Sequence, residues 1–153
     1  MDDPSRRSRK SSGTRAESLL EQSVFCLDEC LGKKLAAELR GVGLRVEIHQ
    51  DHFASDMPDT EWLRVIGERG WISLSKDKAI KRVPEELEAV KVFKVRMFVL
   101  TRGKYNGDEM AGIFIANLLD MGRTLKRHKP PFIARVSRNG IKMTNLGLEE
   151  EAG

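Results

Sequence analysis

The sequence is poor in cysteine and has no long hydrophobic run, and each absence excludes a class of protein. Cys26 and Cys30 are its only cysteines. They are too few for a disulfide framework, and neither a further cysteine cluster nor a second histidine pair accompanies them as a zinc site requires. No apolar stretch approaches the roughly 18 residues of a membrane span, and the basic start of the chain lacks the apolar segment of a signal peptide. We therefore expect free thiols, no membrane association and a cytoplasmic location.

Several catalytic signatures are also missing. The sequence contains no GxGxxG, no GxxxxGK[ST], no GxSxG and no HExxH, which are the patterns of dinucleotide-binding, P-loop, serine-hydrolase and zinc-protease sites. His49 and His52 have no evident third ligand, so we expect them to be core or loop residues. Tyr105 and Asn106 could contact a nucleotide, but a polar loop explains them equally well.

Negative charge is absent from one part of the chain. Between Met121 and Leu148 there is no Asp or Glu. A basic stretch of this kind can bind the phosphates of a polyanion, and a solvated face or a docking surface for an acidic protein would have the same composition. Its seven basic residues are Arg123, Lys126, Arg127, Lys129, Arg135, Arg138 and Lys142.

The length of 153 residues suits one domain. We predict that residues 1–22 form a flexible basic arm, because apolar residues are nearly absent before Leu19. We assign the domain to residues 23–148 and a frayed acidic tail to residues 149–153.

Short apolar runs alternate with helical patterns along the domain. The helical patterns pass through residues 31–39 and 62–70, and then 84–89 and 108–121. Strands separated by helices in this way predict a mostly parallel sheet covered on both faces. The predicted strands cover residues 24–27, 44–48, 71–74, 96–100 and 132–136, with an edge pairing or hairpin at 141–143.

Carboxylates follow the predicted strands. Asp28 and Glu29 come directly after the first strand, Asp77 follows the third, and Asp59 and Glu61 begin the helix after the second. Parallel strands place their carboxyl ends at one edge of the sheet, where sites of such folds lie. Carboxylates converging there would repel one another, and a hard cation such as Mg²⁺ or Mn²⁺ would relieve that repulsion.

Structural roles would also explain some of these residues. Asp59 and Glu61 could favour a helix N-terminus through the helix dipole, and Glu29 could simply begin the next helix. Asp77 could form a salt bridge with a neighbouring lysine. Asp28 has less structural use, since it stands directly after a buried strand.

Four segments of the chain resemble those of PIN-like domains, in the same order. The resemblance spans roughly residues 24 to 136. The segments are FCLDECLGK (25–33), PDTEWL (58–63), GWISLSKDK (70–78) and VRMFVLT (95–101).

The PIN-like family includes the VapC-type toxins of toxin–antitoxin pairs. The resemblance implies a three-layer α/β/α sandwich with a mostly parallel sheet of four to five strands, and a ribonuclease that depends on Mg²⁺ or Mn²⁺. It implies that the metal ligands are Asp28, Asp77 and either Glu61 or Asp59, with Glu29 in support. The catalytic residues would be Asp28, Glu61 and Asp77.

The same resemblance implies an RNA substrate and a cognate antitoxin protein, and it is compatible with a homodimer. Lys76 or Lys78 would stabilise the charge that develops on the attacked phosphate. The residues expected to follow the RNA backbone are Arg123, Lys126, Arg127 and Lys129.

The sequence departs from the family after the fourth strand. Thr101 stands there in place of a carboxylate, so a fourth acidic ligand would come from Asp108 or be missing. Two alternatives therefore stay open. One is a non-catalytic PIN-like module that binds RNA or protein, and the other is a receiver-like signalling domain that accepts a phosphoryl group on Asp77.

Overall fold

The computed structural model describes residues 15–28, 31–76 and 83–146. They form a sheet of six strands in the order β2-β1-β3-β4-β5-β6. All neighbouring strands are parallel except β5 and β6, which are antiparallel. The strands are β1 (Val24–Leu27), β2 (Arg45–Ile48), β3 (Ile72–Lys76), β4 (Arg96–Leu100), β5 (Phe132–Ser137) and β6 (Gly140–Met143).

Helices cover both faces of this sheet. Helices α1, α2, α5 and α6 contribute to one hydrophobic core, and α3 and α4 contribute to the other. The fold is therefore the predicted α/β class with helices on either side of a mostly parallel sheet. The helices are α1 (Arg15–Gln22), α2 (Gly32–Gly41), α3 (Asp59–Arg69), α4 (Pro84–Val92), α5 (Gly107–Ala116) and α6 (Leu118–Arg127), with a 3-10 turn at His49–Asp51.

The two cores follow from the alternation of side chains along each strand. On β1, Phe25 and Leu27 belong to the core beneath α2 and α5, whereas Cys26 between them belongs to the core beneath α3 and α4. On β4, Phe98 and Val99 divide in the same way. Successive residues of a strand point to opposite faces, so a continuously apolar strand supplies both cores.

The structure differs from the predicted flexible arm at residues 15–22, which form α1. Leu20 is buried with 6% of its surface exposed, and α1 packs along α6. Too few apolar residues stand in this segment for a local pattern to reveal it, because its stability comes from packing against α6. Residues 1–14 lie outside the described part of the chain.

The predicted helix over residues 108–121 is also two helices, which meet at Asn117. The buried Asn117 side chain donates hydrogen bonds from Nδ2 to the carbonyls of Ile113 and Ser137, both at 2.9 Å. The second bond fastens the junction to the end of β5. Helix α6 then continues beyond the predicted end at residue 121 to Arg127, into the first part of the basic stretch. The edge strand β6 makes the sheet six-stranded rather than four- to five-stranded.

The strand order creates a switch point at β1, which pairs with β2 on one side and β3 on the other. The chain passes from β1 to β2 on one side and then crosses back to β3 on the other side, where the strands β4 to β6 follow. In sheets of this type, ligands bind outside the carboxyl ends of the strands at such a point. Across the three described ranges, no helix is long and apolar enough to cross a membrane.

Candidate active site at the carboxyl edge of the sheet

Asp28 follows β1 directly and lies at the switch point. Asp28 is buried, with 6% of its surface exposed, and its backbone N–H donates to the Leu74 carbonyl on β3 at 3.0 Å. The parallel registers of β1 with β2 and β3 bring His49 and Ser75 to either side of it. Both neighbours are buried as well. A carboxylate is thus held between two polar residues at the edge where a site is expected.

The pKa of the Cys26 thiol depends in part on the negative charge of Asp28. The pKa of Cys26 is raised to about 12, chiefly by burial and also by the negative charges of Asp28 and Glu47, while Arg69 opposes them. Cys26 and Asp28 are two residues apart on an extended strand, so their side chains share one face. The Asp28 carboxylate therefore lies on the side of the sheet that α3 and α4 cover.

Asp59 is held in place at the start of α3. Its Oδ1 accepts a hydrogen bond from Nε1 of Trp62 at 2.7 Å. The buried Trp62 ring meets the His49 ring edge-on, with centroids 5.0 Å apart and an interplanar angle of 90°. Because His49 is the neighbour of Asp28, these contacts connect Asp59 to the switch point.

Glu61 has a different environment on the outer side of α3. Its side chain is half exposed and accepts from Nη2 of Arg64 at 3.3 Å. The hydrogen bond that Arg64 donates to Glu61 is the main cause that raises the pKa of Arg64, and Glu68 adds to it. Of the two carboxylates predicted in this helix, Asp59 is therefore directed inward and Glu61 forms surface ion pairs.

The other predicted ligands, Glu29 and Asp77, lie outside the described residues, as does Lys78. Over the part of the chain that is described, no group of three or more His, Cys, Asp or Glu side chains could hold a metal ion. Among the described residues, the predicted metal site is therefore centred on Asp28. Asp59 is linked to it through the rings of Trp62 and His49.

The basic stretch lies mostly away from this edge. Helix α6 ends at Arg127, and β5 then begins at Phe132, which is in register with Arg96 at the start of β4. The end of α6 therefore lies at the amino edge of the sheet, where Lys126, Arg127 and Lys129 are exposed. Arg123, farther back on the helix, forms an ion pair with Asp120 at 3.1 Å.

Other cations stand at the carboxyl edge. Lys76 ends β3, and its Nζ lies 5.7 Å from the centroid of the Tyr105 ring. Cζ of Arg138, the residue directly after β5, lies 5.1 Å from the same centroid. The position of Arg138 after a strand was a signal that the sequence contained, but the longer run of basic residues obscured it.

Comparisons with known proteins agree with this geometry. The family described as "PIN like domain" matches residues 23–102. The chain is 30% identical over 120 residues to the Mycobacterium tuberculosis (strain ATCC 25618 / H37Rv) protein named "Putative ribonuclease VapC45", an alignment covering 75% of this chain and 86% of that protein. No solved structure matches the chain. The family match includes β1 to β4 and the buried Asp28, and it shows that this chain belongs to the PIN-like domain family.

Proposed function

We propose that this protein is a metal-dependent endoribonuclease and the toxin of a toxin–antitoxin pair. The buried Asp28 at the switch point is the observation that carries the proposal. A carboxylate with 6% exposure at the ligand-binding edge of a parallel sheet is placed where its oxygens could bind a hard divalent cation. Membership of the PIN-like family and the name of the mycobacterial relative support the same activity.

The residues of the site suit a hard divalent cation. Asp28 supplies carboxylate oxygens and Ser75 a hydroxyl, and oxygen donors are those that Mg²⁺ and Mn²⁺ prefer. We propose Asp28 as the central ligand, together with Glu29 and Asp77, which directly follow Asp28 and Lys76 in the sequence. Asp59 is the better placed of the two α3 carboxylates, because Trp62 orients it towards the His49 side of Asp28.

A bound divalent cation would supply an activated water and neutralise charge on the attacked phosphate. The chain's own residues do the rest. Asp28 is held rigidly by its backbone bond to β3, so its carboxylate position is set before RNA arrives. Lys76, at the end of the same neighbouring strand, offers a positive charge to the phosphate that is cleaved.

An RNA cleavage assay tests this proposal. The wild-type chain and the Asp28→Asn variant are incubated with mixed single-stranded RNA in Mg²⁺, in Mn²⁺ and in EDTA. We expect cleavage only by the wild type with metal, and a loss of at least about 100-fold in Asp28→Asn, because removing a charged group that stabilises the transition state costs several kcal/mol. The Asp51→Asn variant, which changes an exposed carboxylate in the 3-10 turn, is the matched control.

Either of two results would contradict the proposal. Cleavage that survives EDTA would exclude the metal, and RNA binding without cleavage in any lane would identify a non-catalytic PIN-like module.

The same assay tests the proposed antitoxin partner. Adding the product of the neighbouring gene should suppress wild-type cleavage if that product is the antitoxin, and full activity in the complex would reject that role.

A further inference from the structure

We propose that Lys76, Tyr105 and Arg138 form a subsite that binds the backbone phosphates of single-stranded RNA beside the active site. This inference rests on the proposed ribonuclease function and names how the substrate would be held. It adds Tyr105 and Arg138 to the sequence-based expectation, which assigned RNA binding to Lys76, Lys78, Arg123, Lys126, Arg127 and Lys129.

The three side chains form one cluster around an aromatic ring. Nζ of Lys76 and Cζ of Arg138 lie 5.7 and 5.1 Å from the centroid of Tyr105. A cation within about 6 Å of a ring is attracted by the ring's electron density. The Tyr105 ring therefore holds both positive charges at one part of the surface, where the backbone phosphates of one strand could accept from them.

The cluster lies at the same edge of the sheet as Asp28. Lys76 is the last residue of β3, Arg138 follows β5, and Tyr105 stands between β4 and α5. Ser75, the residue before Lys76, lies beside Asp28 across the β1–β3 pair. Neighbouring strands are about 5 Å apart and successive Cα atoms 3.8 Å, so the Cα atoms of Lys76 and Asp28 are within about 10 Å.

The loop holds the Tyr105 ring close to its own backbone. A Cβ built at Gly103 would come within 2.6 Å of Cζ of Tyr105, so only glycine allows the ring to lie where it does. The Tyr105 hydroxyl also donates to the Arg102 carbonyl at 3.5 Å, and the ring packs against the core beneath α5. Tyr105 is thus a positioning residue for the two cations.

Arg138 can exchange its present partner for a phosphate. Its guanidinium lies 3.7 Å from Oε2 of Glu109, and both side chains are about half exposed. Such surface pairs contribute little. The other oxygen of Glu109 accepts from the N–H of Asn106 at 2.9 Å in the capping box of α5, which holds the carboxylate in place. Glu109 therefore competes with RNA for Arg138.

The test measures RNA binding without cleavage. Every variant is made in the Asp28→Asn background, and binding to a labelled single-stranded RNA is followed by fluorescence anisotropy over a range of salt concentrations. We expect Lys76→Gln and Arg138→Gln each to weaken binding by 3- to 10-fold. Each should also reduce the slope of log K against log salt by about 0.7, as the loss of one phosphate contact does in single strands.

Two further variants separate recognition from damage to the fold. Glu109→Gln keeps the capping box, since glutamine also serves at that position, and it removes the competing charge, so we expect tighter binding. Tyr105→Phe retains the ring face and should bind like the background protein, whereas Tyr105→Leu should resemble Arg138→Gln. Arg45→Gln, at the start of β2 on the amino edge, is the matched control and should have no effect.

The results also distinguish this proposal from the proposed function. Unchanged binding in Lys76→Gln and Arg138→Gln would overturn the subsite even if the wild type cleaves RNA. Weakening by Arg127→Gln with no effect of Arg138→Gln would move binding to the amino edge. Conversely, the expected binding changes in a protein that never cleaves RNA would keep the subsite and reject the nuclease.

Discussion

At the residue scale, the environment of β1 determines the chemistry of its side chains. Cys26 and Asp28 lie on one face of the strand, but Cys26 is closed in by the core beneath α3 and α4 while Asp28 stands at the end of the strand. Burial disfavours the charged thiolate, and the neighbouring carboxylate disfavours it further. Cys26 is therefore an inert core residue rather than a nucleophile or a metal ligand.

The first prediction concerns the pKa of Cys26. The folded value of about 12 lies above the ordinary value of 9.0. The unfolded chain therefore loses its thiol proton first as the pH rises. The thiol's contribution to stability is complete below pH 9.0 and is lost between pH 9.0 and about 12, by roughly 1 kcal/mol per pH unit. Urea unfolding of the wild type and of Cys26→Ala across this range would show the difference.

Two results would contradict that prediction. Parallel pH profiles for the wild type and Cys26→Ala would mean that the thiol does not titrate abnormally. In the Cys30→Ser background, a titration of Cys26 that Asp28→Asn leaves unchanged would show that the carboxylate does not influence it, since removing that charge should lower the thiol pKa.

At the element scale, a close approach between α3 and α4 determines how the second core is closed. A Cβ at Gly67 of α3 would lie 2.4 Å from the carbonyl oxygen of Phe93, the residue at which α4 ends. Backbone atoms cannot yield as a flexible side chain can. Gly67 is thus required by the packing of two helices and not by a turn.

The prediction at this scale compares two glycines in helices. Gly67→Ala should destabilise the fold by about 1–3 kcal/mol, because α3 and α4 must move apart. Gly112→Ala should stabilise it by about 0.5–1 kcal/mol, because α5 has open space at this exposed position and alanine favours the helix. Urea unfolding midpoints measure both, and a stable Gly67→Ala protein would show that the two helices are not in contact.

At the scale of the whole molecule, the residues that stabilise the fold and the residues of the candidate site lie in different places. The two hydrophobic cores lie on either side of the sheet, while the carboxylate and the cations lie at its carboxyl edge. A chain of this size can bury enough surface to fold without a structural ion. The metal that we propose therefore serves chemistry and not folding.

That separation makes a thermal prediction. EDTA should leave the melting temperature of the wild type unchanged. Mg²⁺ at ten times its dissociation constant should raise it by a few degrees, since ligand binding at that level contributes about 1.4 kcal/mol. Asp28→Asn should show no such rise. A large fall in EDTA would mean that the metal is structural, and an equal rise in both proteins would place Mg²⁺ elsewhere.

The amino-acid sequence alone was enough to predict the strands of the parallel sheet, the helices α2 to α4 and the position of Asp28 at a strand end. These depend on local patterns, namely continuous apolar runs for doubly buried strands and helical spacing for the elements between them. The carboxyl end of a strand is also a local property, so Asp28 could be placed at the carboxyl edge of the sheet. The motifs around it likewise sufficed for the PIN-like family.

Which side chains come into contact depends on the packing of segments that are distant in the sequence. Helix α1 depends on α6, the break at Asn117 depends on a bond to β5, and the inward Asp59 depends on Trp62 and His49. The basic residues divide between the two edges because α6 runs antiparallel to the strands, which brings its end to the amino edge. The position of Arg138 and Lys76 at strand ends indicated their edge, but only long-range packing brings the two side chains to one ring.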